Sequence, residues 1–162
     1  SKNPRQCELL MRFFLVVALF GLGLGCTQPA PPPPDPRVEI EALLEDQAKA
    51  WNKGRIPDFM SAYEQSKDLI FTSGGNVRRG FRETLNKYQK TYGEKDLMGH
   101  LEFEILDLRM LNPSAAIVLG TWELTKTEKE GKGVFTLVMI RESKGWKIIH
   151  DHTSVGPKEN GE

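Results

Sequence analysis

The residues with the clearest chemical potential stand near the end of the chain, in Gly145-Trp146-Lys147-Ile148-Ile149-His150-Asp151-His152-Thr153-Ser154-Val155. Read as one β-strand, this stretch places Trp146, Ile148, His150, His152 and Ser154 on one face. Lys147, Ile149, Asp151, Thr153 and Val155 fall on the other. The first face passes from aromatic and aliphatic side chains to two imidazoles, the pattern of a pocket wall that turns polar at one end. Imidazole exchanges protons near neutral pH, so His150 and His152 are candidates for a general base and its proton-donating partner. The alternative is that both are hydrogen-bonded lining at a pocket's open end. A zinc site would need a third ligand, such as His100 or an acid. Nothing in the sequence ties His100 to the closing strand, so no metal and no cofactor is expected.

Two further residues enter the catalytic set. Asp107 is an acid within a largely apolar strand, and Tyr63 is a possible hydroxyl donor, although a tyrosine that packs a helix onto a sheet fits equally well. Trp51, Phe59, Tyr63, Phe71 and Trp122 lie on elements that should face an interior. Singly each reads as core, but together they resemble the aromatic lining of a small-molecule site, with Trp146, Ile148, His150 and His152 completing the wall. Arg78 or Arg79 could meet an acidic ligand at the mouth, or simply be solvated. Gly74-Gly75 lacks the lysine and hydroxyl residue of a phosphate loop, and Ser154 lacks a nucleophile-elbow setting.

The elements that must position these residues are legible in order. Ile40, Leu43, Leu44, Gln47, Ala48 and Trp51 recur at spacings of three and four, which predicts an amphipathic helix from Arg37 that stops at Gly54. Pro57-Asp58 begins a shorter helix that turns Phe59, Met60 and Tyr63 inward. Leu69-Ile70-Phe71-Thr72 reads as a strand and Ser73-Gly74-Gly75-Asn76 as a turn. Phe81, Leu85, Tyr88 and Tyr92 mark a third helix, closed by Gly93. The rest is strand. Leu101 to Ile105 alternates, then Leu106 to Met110 alternates in the opposite phase, which implies a bulge. Strands over Ala115 to Thr125 and Val134 to Arg141 flank the charged hairpin from Lys126 to Gly133. Helices first and strands after predict an α+β fold, with three N-terminal helices packed on a strongly curved antiparallel sheet.

The 162 residues suit one domain with a leader. Met11-Arg12 precedes an apolar run from Phe13 to Gly25, shorter than the roughly 20 residues of a membrane span and positively charged at its start, which is the form of an export signal. Residues 1–10 precede this plausible initiator and are left out of the fold. Leu22-Gly23-Leu24-Gly25-Cys26 resembles the lipobox of bacterial lipoproteins, with Gly23 where that family usually has leucine. The resemblance implies cleavage before Cys26, a diacylglycerol on its thiol and membrane attachment. A short uncleaved anchor, or cleavage elsewhere, is the alternative. Thr27 in place of the aspartate that retains many lipoproteins at the inner membrane favours the outer one, with the domain in the cell envelope, facing the periplasm.

Residues 1–25 are thus a leader and signal, and 26–36 a lipidated cysteine with a proline-rich spacer of polyproline II form. Residues 37–156 form the domain, and 157–162 are expected to be a disordered tail. Without Lys2, Arg5, Arg12 and Glu8, 19 basic and 21 acidic groups remain, net −2, and the basic residues are scattered. Nucleic acid, which requires a concentrated basic footprint, is not an expected partner. Both cysteines, Cys7 and Cys26, precede the domain, which therefore holds no disulfide and no thiolate metal site.

Over about residues 37–156 the chain resembles the nuclear-transport-factor-2-like superfamily, in particular its SnoaL-like branch. The matching residues are Ala50-Trp51-Asn52-Lys53-Gly54, Pro57-Asp58-Phe59, Tyr63, Val77-Arg78-Arg79-Gly80-Phe81, Ala116 to Trp122, and Trp146 to Ser154. The resemblance implies a cone whose curved sheet and helices enclose a pocket, and a homodimer through the outer sheet face. It implies no single function, since the superfamily includes isomerases, cyclases and dehydratases beside proteins that only bind or assemble. The leading expectation is binding of a small, mainly apolar molecule. An acid–base enzyme using His150 or His152, and a non-catalytic dimeric assembly module with a filled interior, are the alternatives.

Overall fold

The computed structural model describes residues 34–157. The leader, Cys26, the spacer before residue 34 and the last five residues lie outside the described residues.

Helix α1 spans Pro36–Asn52. Asp35 caps it, its carboxylate accepting from the Arg37 amide at 2.9 Å, and Pro36 fills a first-turn position where no amide donor is needed. The helix therefore begins one residue inside the stretch read as spacer. Helix α2 (Ile56–Met60), strands β1 (Ile70–Ser73) and β2 (Asn76–Arg79), and helix α3 (Phe81–Tyr92) follow. A single turn, α4 (Lys95–Met98), leads into the long strands β3 (His100–Asn112), β4 (Ala115–Thr125), β5 (Gly131–Glu142) and β6 (Gly145–Val155). The sequence reading contained α1, α2 and α3 but neither α4 nor β2. Gly74 and Gly75, at φ +56° and +77°, form the two-residue turn that joins β1 to β2.

The six strands form one sheet in the order β2-β1-β6-β5-β4-β3. All neighbours are antiparallel except β1 and β6, which run parallel with Ile70 opposite His150. That exception follows from connectivity, because a parallel pair needs a long crossover and most of the domain separates these strands in sequence. The chain just after α2 also joins β6: the Glu64 amide donates to the Ile148 carbonyl, and the Ile148 amide to that of Ala62, both at 2.9 Å.

Two bulges interrupt the strand interiors, besides a third register shift at Leu111 near the end of β3. Ile105 pairs with Gly120 and Asp107 with Leu119, so Leu106 is the extra residue, where the phase change implied one. The second is absent from the sequence reading. Val138 pairs with His150 while Met139 pairs with Ile148, which leaves Ile149 without a partner. An extra residue sends every later side chain to the opposite face. Trp146 and Ile148 are buried before it, and Asp151, not the histidines, is buried after it.

The bulge also divides the interior. On its N-terminal side the core is solid, with Ile40, Met60, Met139, Val118 and Ile148 fully buried. Glu39 on α1 accepts from the Arg141 guanidinium and from the Trp146 indole, clamping the helix over the end of β5 and β6. On the C-terminal side the sheet and helices stand apart and leave a cavity. Among the described residues no helix is long and apolar enough to cross a membrane.

Candidate functional site

The cavity measures about 270 Å³, close to the lower end of the roughly 300–1,000 Å³ typical of ligand pockets. Its helical wall begins with Trp51 at the end of α1. The Trp51 indole donates to the Met98 carbonyl at 2.7 Å, and the neighbouring Asn52 amide pairs with both backbone groups of Leu101. With that edge fixed, Trp51 packs edge-on against Phe59, Tyr88 and Tyr92 at 5.0, 6.0 and 4.8 Å between ring centroids. Gln47 on α1 donates to the Phe59 carbonyl and holds α2 in place. Phe71 on β1 closes the ring of aromatics, 5.8 Å from Tyr88 and 6.3 Å from Tyr63. The sheet wall is Leu101, Phe103, Trp122, Leu124, Phe135 and Leu137, with Asp151, Thr153 and Val155 from β6.

Asp151 is the polar centre of this wall, 4 % exposed. The Tyr63 hydroxyl donates to one carboxylate oxygen at 2.8 Å and the Thr153 hydroxyl to the other at 2.7 Å. Burial pushes the carboxyl up to about 6, against the pull of these two donors and of the nearby His152. A carboxyl ionising there changes charge close to neutral pH, as an acid–base group must. Burial first, and then the facing Asp151 charge, raises the Tyr63 phenol well above its ordinary range. Tyr88 is raised for the same reasons, and Arg78 acts on it in the opposite sense. Both phenols therefore stay neutral and act as hydrogen-bonding groups.

Trp51, Phe59, Tyr63, Phe71 and Trp122 all line the cavity. Trp146, Ile148, His150 and His152 do not. Trp146 and Ile148 belong to the solid core, and the bulge at Ile149 carries the two histidines away from the cavity, leaving His152 exposed. The face predicted for the closing strand is therefore correct for its first half and inverted for its second. Asp107 lies outside as well, solvated beside Arg109 at 3.8 Å. His100 stands on edge strand β3 beside Glu102, and among the described residues no three histidine, cysteine or acidic side chains converge. Asp151, Tyr88 and Tyr92 are among the cavity residues absent from the predicted set.

Three structural relatives illustrate the range of the fold. A nuclear-transport-factor-2-like protein of unknown function from Shewanella oneidensis is 38% identical, superposes with a TM-score of 0.72, and is covered over 99% of its length by 74% of this chain. A ketosteroid isomerase-like protein from Erwinia carotovora atroseptica shares 19% identity at a TM-score of 0.61, with 74% of this chain and 96% of that one aligned. A nuclear transport factor 2-like superfamily protein from Salmonella enterica serovar Typhimurium shares 17% at 0.61, over 78% and 94%. At these lower identities the likeness is one of fold. No curated protein matches the sequence. The sequence model of the SnoaL-like domain matches residues 40–157, which is essentially the whole domain described above. The chain belongs to the SnoaL-like family of the nuclear-transport-factor-2-like superfamily.

Proposed function

We propose that this chain is an exported protein, anchored through a lipid on Cys26, that binds a small, mainly apolar molecule in its cavity. The carrying observation is an aromatic-walled space of about 270 Å³ whose one buried acid, Asp151, is held by Tyr63 and Thr153. Apolar lining supplies affinity, and a single fixed polar group supplies orientation. The address rests on the apolar run that ends at Cys26 and on the proline-rich spacer after it. Titrating the full chain with small bicyclic alcohols and ketones, followed by tryptophan fluorescence, should give saturable binding. The absence of saturation with any of them sinks the reading.

Asp151 also favours a second reading, an isomerase, cyclase or dehydratase in which this carboxylate takes and returns a proton. Turnover abolished by Asp151→Asn, with ligand affinity retained, would separate catalysis from binding. The assembly alternative called for a filled interior, and the cavity weighs against it. A homodimer through the outer sheet face remains part of the proposal, because Leu119 and Val134 are 38% and 45% exposed there. Sedimentation of the chain at micromolar concentration tests it.

A further inference from the structure

Only three of the residues that line the cavity carry charge: Arg78, Lys87 and Asp151. Arg78 and Lys87 also line a second depression that adjoins the cavity, together with Ser73, Asn76 and Val77. The two cations therefore stand at the mouth while the acid lies buried. Among the described residues neither cation forms a salt bridge. The Arg78 guanidinium instead rests over the Phe71 ring, 5.7 Å from its centroid, so an aromatic face and not a carboxylate sets its position. The sheet register fixes the spacing: Arg78 pairs with Phe71, and Phe71 with Asp151. The rim cation and the buried acid thus share one row two strands apart, roughly 10 Å of backbone.

We infer that the molecule this cavity takes is a compact amphipathic anion: a small apolar ring system with a carboxylate held at the mouth by Arg78 and Lys87, and a hydroxyl or carbonyl at its far end against Asp151. Each part of the site selects for one part of that molecule. The aromatic wall takes the ring system. A planar guanidinium stacked on Phe71 presents its donors toward an anion at the rim. The Asp151 carboxylate repels a second negative charge, so the acidic end of the ligand stays outward and the orientation is fixed by charge as well as by shape. The inference rests on the cavity being a binding site, as proposed above.

The test uses matched pairs that differ only in charge, hydroxynaphthoate and hydroxynaphthamide, titrated against the full chain by calorimetry. The carboxylate should bind about tenfold more tightly than the carboxamide, the effect of one partly solvated charged hydrogen bond. That gap should close in Arg78→Met, reopen in Arg78→Lys, and shrink in roughly 0.5 M salt. Equal affinity of the two probes, or a gap indifferent to Arg78→Met, overturns the inference while leaving the pocket reading intact. Binding of neither probe removes the pocket reading and the inference with it. Should Arg78→Met fail to fold, Lys87→Gln, on an exposed position of α3, must narrow the gap about threefold for the inference to stand.

Discussion

Asp151 makes the stability of this domain depend on pH in an unusual direction, and the size of the effect can be worked out. Its carboxyl ionises at about 6 in the folded chain and at the ordinary 3.8 once exposed. An acid whose folded value is raised binds its proton more tightly in the native state, so its contribution to stability is full below 3.8 and is lost as pH rises toward 6. Ion-paired and strongly hydrogen-bonded carboxylates act the other way. At 1.36 kcal/mol per pH unit the loss is about 3 kcal/mol, a large share of the roughly 5–15 kcal/mol that holds a domain together. Asp151→Asn keeps the shape, accepts from Tyr63 and carries no charge. Urea unfolding of wild type and Asp151→Asn at steps from pH 3.5 to 8 isolates this group, because all other titrations cancel in the difference. The variant should gain about 3 kcal/mol relative to wild type across that range, with most of the change between pH 4 and 6. A difference that stays flat within about 0.5 kcal/mol, or that runs in favour of wild type at high pH, refutes the burial argument.

Three other outcomes follow from the same geometry. Tyr63→Phe strips Asp151 of one donor, and should cost about 1–3 kcal/mol at pH 7 in urea unfolding but less at pH 4, where the carboxyl is neutral. His150→Asn and His152→Asn should each leave ligand affinity within about twofold of wild type by calorimetry, since neither ring lines the cavity. Gly133→Ala should destabilise by more than about 2 kcal/mol in thermal unfolding. An added methyl there would sit 1.9 Å from the Ser154 carbonyl oxygen and 2.8 Å from the Trp122 indole nitrogen, two groups now hydrogen-bonded to each other at 3.1 Å.

Periodicity carried the fold a long way. Apolar spacing located α1 and α3, and the change of phase at Leu106 announced the first bulge because an apolar position was repeated out of step. The same device was silent at Ile149. Ile148 and Ile149 are adjacent aliphatics, so either fits the buried face, and unbroken alternation through to His152 was the simpler reading. The extra residue sits where the partner of β6 changes, from the Ala62–Glu64 segment to β1. That hand-over is a long-range pairing no local pattern encodes. Regular alternation puts Asp151 on the outer face, and Tyr63 is then without the partner that gives it a role. Tyr88 and Tyr92 were correctly placed on α3, yet nothing in one helix says which neighbour it will face. The parallel match of β1 with β6 escaped for the same reason, being joined only through the folded whole.

The hitch at Ile149 also says how such a chamber changes its character over time. Substitutions can only retouch the groups already displayed inside. Loss of that single codon would merely close the hitch into an ordinary ladder and leave Asp151 and Thr153 facing in, whereas pairing Ile149 in register, with nothing looped out, would turn the two imidazoles inward without altering any letter. Whether one residue here is left out of the ladder, more than the identity of any neighbour, decides whether the lining is acidic or basic.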